Sequence, residues 1–183
     1  MKENLVTYIL RLSVTLLLIT AVVAAALAGV NSITAPLIAD HKAEKMQQAM
    51  EEVLPGATGL AEVSFSDATG TVNKVYASAS GYVVDVAPAG FGGAISMMVG
   101  ILPDGSVKGI SIVSHTETAG LGSVAAAKTA AGEAFRNQFV GLTGNVAVDK
   151  DGGTIDSITS ATITSRAVTS GVNAALAAVA GLG

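Results

Sequence analysis

"AISMMVGILPDGSVKGISIVSHT", residues 94–116, decides the fold class. Apolar residues recur here with a period near two, on both sides of Pro103-Asp104-Gly105. That spacing predicts a β-hairpin with strands near Ile95–Leu102 and Val107–Ser114, because proline, aspartate and glycine supply the backbone angles of a tight turn. Short-period stretches precede it: "LAEVSFSD" from Leu60, "NKVYASA" from Asn73 and "YVVDVA" from Tyr82. After it the period lengthens. "SVAAAKTAAGEAFRNQFVGL" (123–142) sets Val124, Ala127, Ala131, Phe135 and Phe139 on one helical face. "NVAVDKDGGTID" (145–156) returns to strand and turn. A last helix is predicted over about Ser165–Val179, with Val168, Val172, Leu176 and Val179 on one side. Strands then helices in one short chain give an α+β domain over residues 57–183. At roughly 125 residues it is large enough for one core. No internal repeat is visible.

The amino-terminal third is of a different kind. Leu12–Val30, "LSVTLLLITAVVAAALAGV", carries no ionisable group. As a helix it spans roughly 28 Å, close to the hydrocarbon thickness of a bilayer. Two readings fit it, a membrane anchor and a cleaved signal peptide. In the second, Lys2 and Arg11 would form the basic region and Ala26-Leu27-Ala28 the cleavage site. The length of the apolar run favours the anchor. Residues 1–11 are then a cytoplasmic terminus, 12–30 a transmembrane helix, and 31–56 a membrane exit and stalk. In the stalk, Met46, Met50 and Leu54 recur at helical spacing until Pro55-Gly56 stops the helix. The expected orientation puts the domain on the extracytoplasmic side.

Composition excludes several classes. Half of the 183 residues are hydrophobic, 13% are charged and the net charge is −4. Without clustered Lys and Arg, nucleic-acid binding is not expected. No cysteine is present, which removes disulfides and thiolate-held metals. The two histidines, His41 and His115, are too few for a multi-histidine metal site.

Chemistry could sit in two places. "SHTETAGLG" (114–122) gathers His115, Thr116, Glu117 and Thr118 with Gly120 and Gly122 between a strand and a helix. It reads either as the polar rim of a pocket for a planar heterocycle or as a hydrogen-bonded turn with Ser123 as helix N-cap. "GLGSVA" (120–125) has the letters of a dinucleotide fingerprint, but "HTETA" separates it from the strand and no acidic partner follows at the required distance. The second place is "DSITSATITSRAV" (156–168), within a run of nine hydroxyl residues between Thr154 and Ser170. If a helix begins near Thr164, the residues before it face free N–H groups and the positive end of the helix dipole, a setting for phosphate. Arg166 could add a charge-assisted contact. The alternative is that Thr162 or Thr164 only caps the helix. Residue physics does not choose one hydroxyl of the nine.

"DSITSAT" (156–162) and "HTETAGLG" (115–122) resemble two motifs of the covalent FMN-binding domain family. The first matches its attachment motif, an Asp, two variable residues, Ser or Thr, usually Gly, then Ala-Thr. The second matches its flavin-lining segment. "FGGAISMMVGILPDG" (91–105), "AFRNQFVGL" (134–142) and "TAPLIADHKAEKMQQAMEEVLPGA" (34–57) extend the likeness to nearly the whole chain. It is most similar to family members that serve as the G subunit of Rnf-type ferredoxin:NAD oxidoreductases. The C subunit of the sodium-translocating NADH:quinone reductase is a longer relative. The resemblance implies FMN attached through a phosphoester to Thr162 by a separate flavin transferase. Asp156, Thr159, Ser160, Ala161 and Arg166 would lie around the attachment point, and His115, Glu117, Thr118, Gly120, Leu121 and Gly122 along the flavin. It implies an electron-transfer subunit within a complex that moves Na⁺ or H⁺, held by lipid in the membrane of a bacterial or archaeal cell. The rival functions are a standalone FMN reductase with an extracytoplasmic acceptor, the quinone-reductase C subunit, and a structural module with an empty pocket. Three letters depart from the family pattern: Ser160 stands for the usual Gly, and Ala119 and Ala94 for prolines.

Overall fold

The computed structural model describes residues 4–182. Lys2, part of the basic flank named above, lies outside them. The described chain divides into two compact units, residues 1–44 and 45–183.

One helix, α1 (Leu5–Val53), contributes to both units. In the first unit its apolar side chains are exposed from Leu5 to Ile38, and the helix is long and apolar enough to cross a membrane. The exit segment after Val30 is helical as well. Ser32 Oγ and Thr34 Oγ1 turn back to donate to the carbonyls of Gly29 and Val30 at 2.8 Å. Pro36 sits inside the helix, where it removes one i→i−4 hydrogen bond and its ring crowds the carbonyl of Ser32. Residues 31–39 carry no ionisable group either, so α1 is uncharged from Leu12 to Ala39.

The second unit is built on a five-stranded antiparallel meander: β1 (Ala61–Val63), β2 (Val72–Ser78), β3 (Gly81–Val86), β4 (Ser96–Ile101) and β5 (Val107–Ser114), in that spatial order. The 94–116 hairpin is present, with Val99 opposite Ile110. β1 is shorter than "LAEVSFSD" because Asp67 takes the chain out of the sheet. Its carboxylate accepts from the backbone N–H of Thr69, Thr71 and Val72 at 2.7–2.8 Å, forming an Asx-type turn.

Alternation along the strands creates two apolar faces. Val84, Val86, Met97, Val99 and Ile101 face one core, shared with Val168, Val172 and Leu176 of the last helix, α3 (Thr162–Ala180). Val83 and Met98 face a second, smaller core closed by Ala49, Val53 and Leu54 from the end of α1. Helix and sheet approach very closely here. A Cβ on Gly100 of β4 would lie 2.2 Å from the Val53 carbonyl oxygen. Gly100→Ala is expected to destabilise this unit by about 1–3 kcal/mol through overpacking, measurable as a lowered denaturant midpoint.

The long helix expected over residues 123–142 is instead two pieces. A 3-10 turn (Gly122–Ala126) leads through extended Ala127 to α2 (Ala130–Asn137), which Thr129 caps. The break frees carbonyls that an unbroken helix would have used. Arg136 recovers two of them: its Nη1 donates to Ala125 O at 2.7 Å and Ala127 O at 3.0 Å. Phe135 and Phe139 still share a face, edge to face at 5.5 Å. "NVAVDKDGGTID" forms one isolated bridge, Val148 to Ile155, around a 3-10 turn at Asp149–Asp151, and no extended strand.

Candidate functional site

α3 begins at Thr162, three residues before the predicted Ser165. The segment leading into it is pinned at successive residues. Asp156 N–H donates to Gln138 Oε1 at 2.7 Å, and Gln138 Nε2 donates back to Asp156 O at 3.2 Å. Ser157 N–H donates to Asp149 Oδ1 at 3.1 Å. Ile158 N–H donates to Ser165 Oγ at 3.0 Å. Hydrogen bonding from Ser157, then Lys150, holds the Asp149 carboxyl well below the usual carboxylate range. A helix start held in this way places its first hydroxyl with little freedom.

Ser160 makes the final turn with φ of +61°, the one described non-glycine residue at positive φ. This explains the family's usual glycine there: the left-handed region costs most other residues about 1 kcal/mol or more. Serine tolerates it without blocking the turn. Ser160→Gly is expected to stabilise the domain by about 0.5–1 kcal/mol, read as a higher melting temperature.

The helix cap is unusual. Ala161 occupies the N-cap with φ −133° and no side-chain hydrogen bond, where Ser, Thr, Asp or Asn would normally accept from the first amides. The opening of α3 therefore keeps donors for an anion from outside the chain. Thr162, half-buried, stands at that opening. Among the described residues no side chain hydrogen-bonds its hydroxyl, so nothing nearby activates it as a nucleophile.

Thr162 lines a cleft of about 340 Å³, within the range of small-molecule sites. The cleft is shared by Ser160, Ala161, Glu117, Thr118, Leu121 and Gly122, all predicted site residues. Phe91 and Ile163 line it too, and sequence reasoning did not single them out. Phe91 is 68% exposed, Ile163 49% and Leu121 41%. Three large apolar side chains left uncovered around one hydroxyl suit the faces of a flat ring system. The signal for Phe91 was its position between glycines in "AGFGGA".

Glu117 ties the cleft together. It is 8% exposed. Oε1 accepts from Gly92 N–H at 2.9 Å, and Oε2 accepts from Thr164 Oγ1 in a short hydrogen bond. One carboxylate thus joins the loop bearing Phe91 to the first turn of α3. A Cβ on Gly122 would lie 2.5 Å from Thr164 Oγ1 and 2.6 Å from Glu117 Oε2, which is why glycine stands there.

The remaining predicted residues fall elsewhere. Gly120, Asp156 and Thr159 line a separate groove. His115 is not on the cleft; its Nδ1 accepts from Glu117 N–H at 3.2 Å. Arg166 is engaged by Asp151, through Nε at 2.7 Å and Nη2 at 2.5 Å. Ser123 does not cap α2; its Oγ accepts from Gly120 N–H at 2.9 Å. Ala94 forms an isolated bridge with Ala89.

Comparison with known proteins bears on the same regions. An FMN-binding domain matches residues 90–177, and an RnfG N-terminal region matches residues 1–53. The chain is 32% identical over 179 residues to the G subunit of the ion-translocating oxidoreductase complex of Methanosarcina acetivorans, covering 92% of this chain and 93% of that one. It is 33% identical over 186 residues to the G subunit of the Na⁺-translocating ferredoxin:NAD⁺ oxidoreductase complex of Acetobacterium woodii, covering 90% and 88%. It is 36% identical over 157 residues to the G subunit of the proton-translocating ferredoxin:NAD⁺ oxidoreductase complex of Clostridium ljungdahlii, covering 82% and 80%.

Proposed function

The chain belongs to the family of G subunits of ion-translocating oxidoreductase complexes, and from that membership we propose that its FMN is held covalently on Thr162. It is a membrane-anchored electron-transfer subunit of an Rnf-type ferredoxin:NAD⁺ oxidoreductase complex that moves Na⁺ or H⁺. The observation that carries the site assignment is the uncapped start of α3. It combines free amide donors, a hydroxyl and an apolar-walled cleft at one point.

FMN supplies reversible electron transfer when bound. The protein's own residues do the rest. The first amides of α3 bind the phosphate end. Phe91, Leu121 and Ile163 cover the ring and keep water from it. Glu117 fixes the spacing between the ring's wall and the tether. Because no base hydrogen-bonds the Thr162 hydroxyl and the Glu117 oxygens are engaged by Gly92 and Thr164, the phosphoester needs a separate flavin transferase.

In-gel fluorescence of the denatured full chain, co-produced with such a transferase, tests the tether: a fluorescent band is expected, and a dark one overturns it. The domain faces the extracytoplasmic side in this reading. Protease added to inside-out vesicles is expected to leave it intact, and its digestion there would reverse the orientation. NADH turnover by the isolated chain would favour a standalone reductase instead.

A further inference from the structure

The second unit carries seven lysines and arginines from Lys45 onward. Three are paired with carboxylates: Lys74 with Glu62, Lys150 with Asp149 and Arg166 with Asp151. Of the other four, three converge on one cleft of about 390 Å³ beside β5 and α2: Lys108, Lys128 and Arg136. None of these three has a carboxylate in ion-pair contact among the described residues. In a chain of net charge −4, that is a local excess of positive charge.

Arg136 is the informative member. It is nine-tenths buried, at 9% exposure. Nη1 is used on the carbonyls of Ala125 and Ala127. Its other N–H groups have no partner among the described residues, and they are not sealed from the surface. A buried guanidinium with no carboxylate in contact is costly, and its free edge matches the two oxygens of a carboxylate. Glu52 and Glu133 also line the cleft. Glu52 is partly engaged, since its Oε2 accepts from Ser111 Oγ at 2.7 Å. Three cations against two carboxylates leave room for one further negative charge, which suits a single carboxylate better than a dianionic phosphate. This cleft is separate from the one around Thr162, and no residue lines both.

We propose that this cleft docks an acidic side chain of another subunit, with Arg136 at its floor and Lys108 and Lys128 at its rim. The proposal rests on membership of the complex. It assigns the domain an electrostatic interface away from the flavin, of the kind that sets orientation and partner choice.

The test uses the intact complex, purified through a different subunit. The double variant Lys108→Glu, Lys128→Glu reverses the rim and leaves Arg136, which supports the break before α2, untouched. The expected result is about a tenfold or greater loss of this chain from the complex at a salt concentration that wild type survives. The melting temperature of the separately purified variant chain should be unchanged. Lys74→Glu, whose lysine is already paired, should be retained like wild type. Equal retention of the double variant overturns the proposal and leaves the lysines as charges that protect an edge strand. Equal loss with Lys74→Glu overturns it too. Protection of the wild-type chain against heat by inorganic phosphate, absent in the double variant, would replace the acidic partner with a small anion. Failure of wild type itself to co-purify would count against the complex, not against the cleft.

Discussion

Thr162→Ala should yield a folded, membrane-inserted chain that carries no covalent flavin. The expected change is from near-complete labelling to none, read by in-gel fluorescence and by the mass of the intact chain. Two features keep the fold out of the result. Thr162 is the first residue of α3 and does not serve as its cap, so no native capping bond is removed. Alanine is also the better helix former. Stability should therefore shift by less than about 1 kcal/mol. Thr159→Ala is the matching control. Its hydroxyl lies on the separate groove, exposed, and full labelling is expected. Covalent FMN persisting in Thr162→Ala would sink the assignment and send the search to the other hydroxyls of the run.

The second large effect should come from Glu117→Ala. This change leaves Gly92 N–H and the buried Thr164 hydroxyl without their acceptor, and opens a void beside Gly90 and Gly122, which pack against the carboxylate. Unsatisfied donors of this kind cost about 1–3 kcal/mol each, so a loss of about 2–4 kcal/mol is expected. For a domain of this size that lowers the melting temperature by roughly 6–15 °C. The measurement belongs in a Thr162→Ala background, where the cofactor cannot contribute to stability. Glu117→Gln keeps one carbonyl acceptor and should lose about half as much. If alanine and glutamine behave alike and melt with the parent, Glu117 does not join the two loops.

The hairpin at 94–116 was legible because local turn chemistry and a period of two agree there. The last helix was legible for the same reason at longer period, and only its first turn was missed. Thr162, Ile163 and Thr164 look like a polar entry in sequence, yet the Glu117 carboxylate, 47 residues away from Thr164, holds that turn in place. The break before α2 was invisible because it depends on Arg136 reaching back to Ala125 and Ala127. In the string of letters, "SVAAAKTAAGEAF" is a good helix throughout. Residues 156–162 drew attention by their motif, whereas Phe91 could be placed on the same cleft only by the Gly92–Glu117 bond. Ser160 shows the reverse case: a puzzling letter became ordinary once its φ was known.

The uncharged run of α1, from Leu12 to Ala39, acts as a depth gauge. As a helix, 28 residues measure roughly 42 Å, the thickness of a bilayer with its headgroups included. Arg11 marks one end and Asp40 the other. The run exceeds the hydrocarbon core of roughly 30 Å by about 12 Å, so the anchor can slide by about one turn, roughly 5.4 Å, either way before Arg11 or Asp40 is drawn into hydrocarbon, which is steeply unfavourable. Its depth is bounded by those two charges, while its rotation about the membrane normal is left for neighbouring subunits to decide.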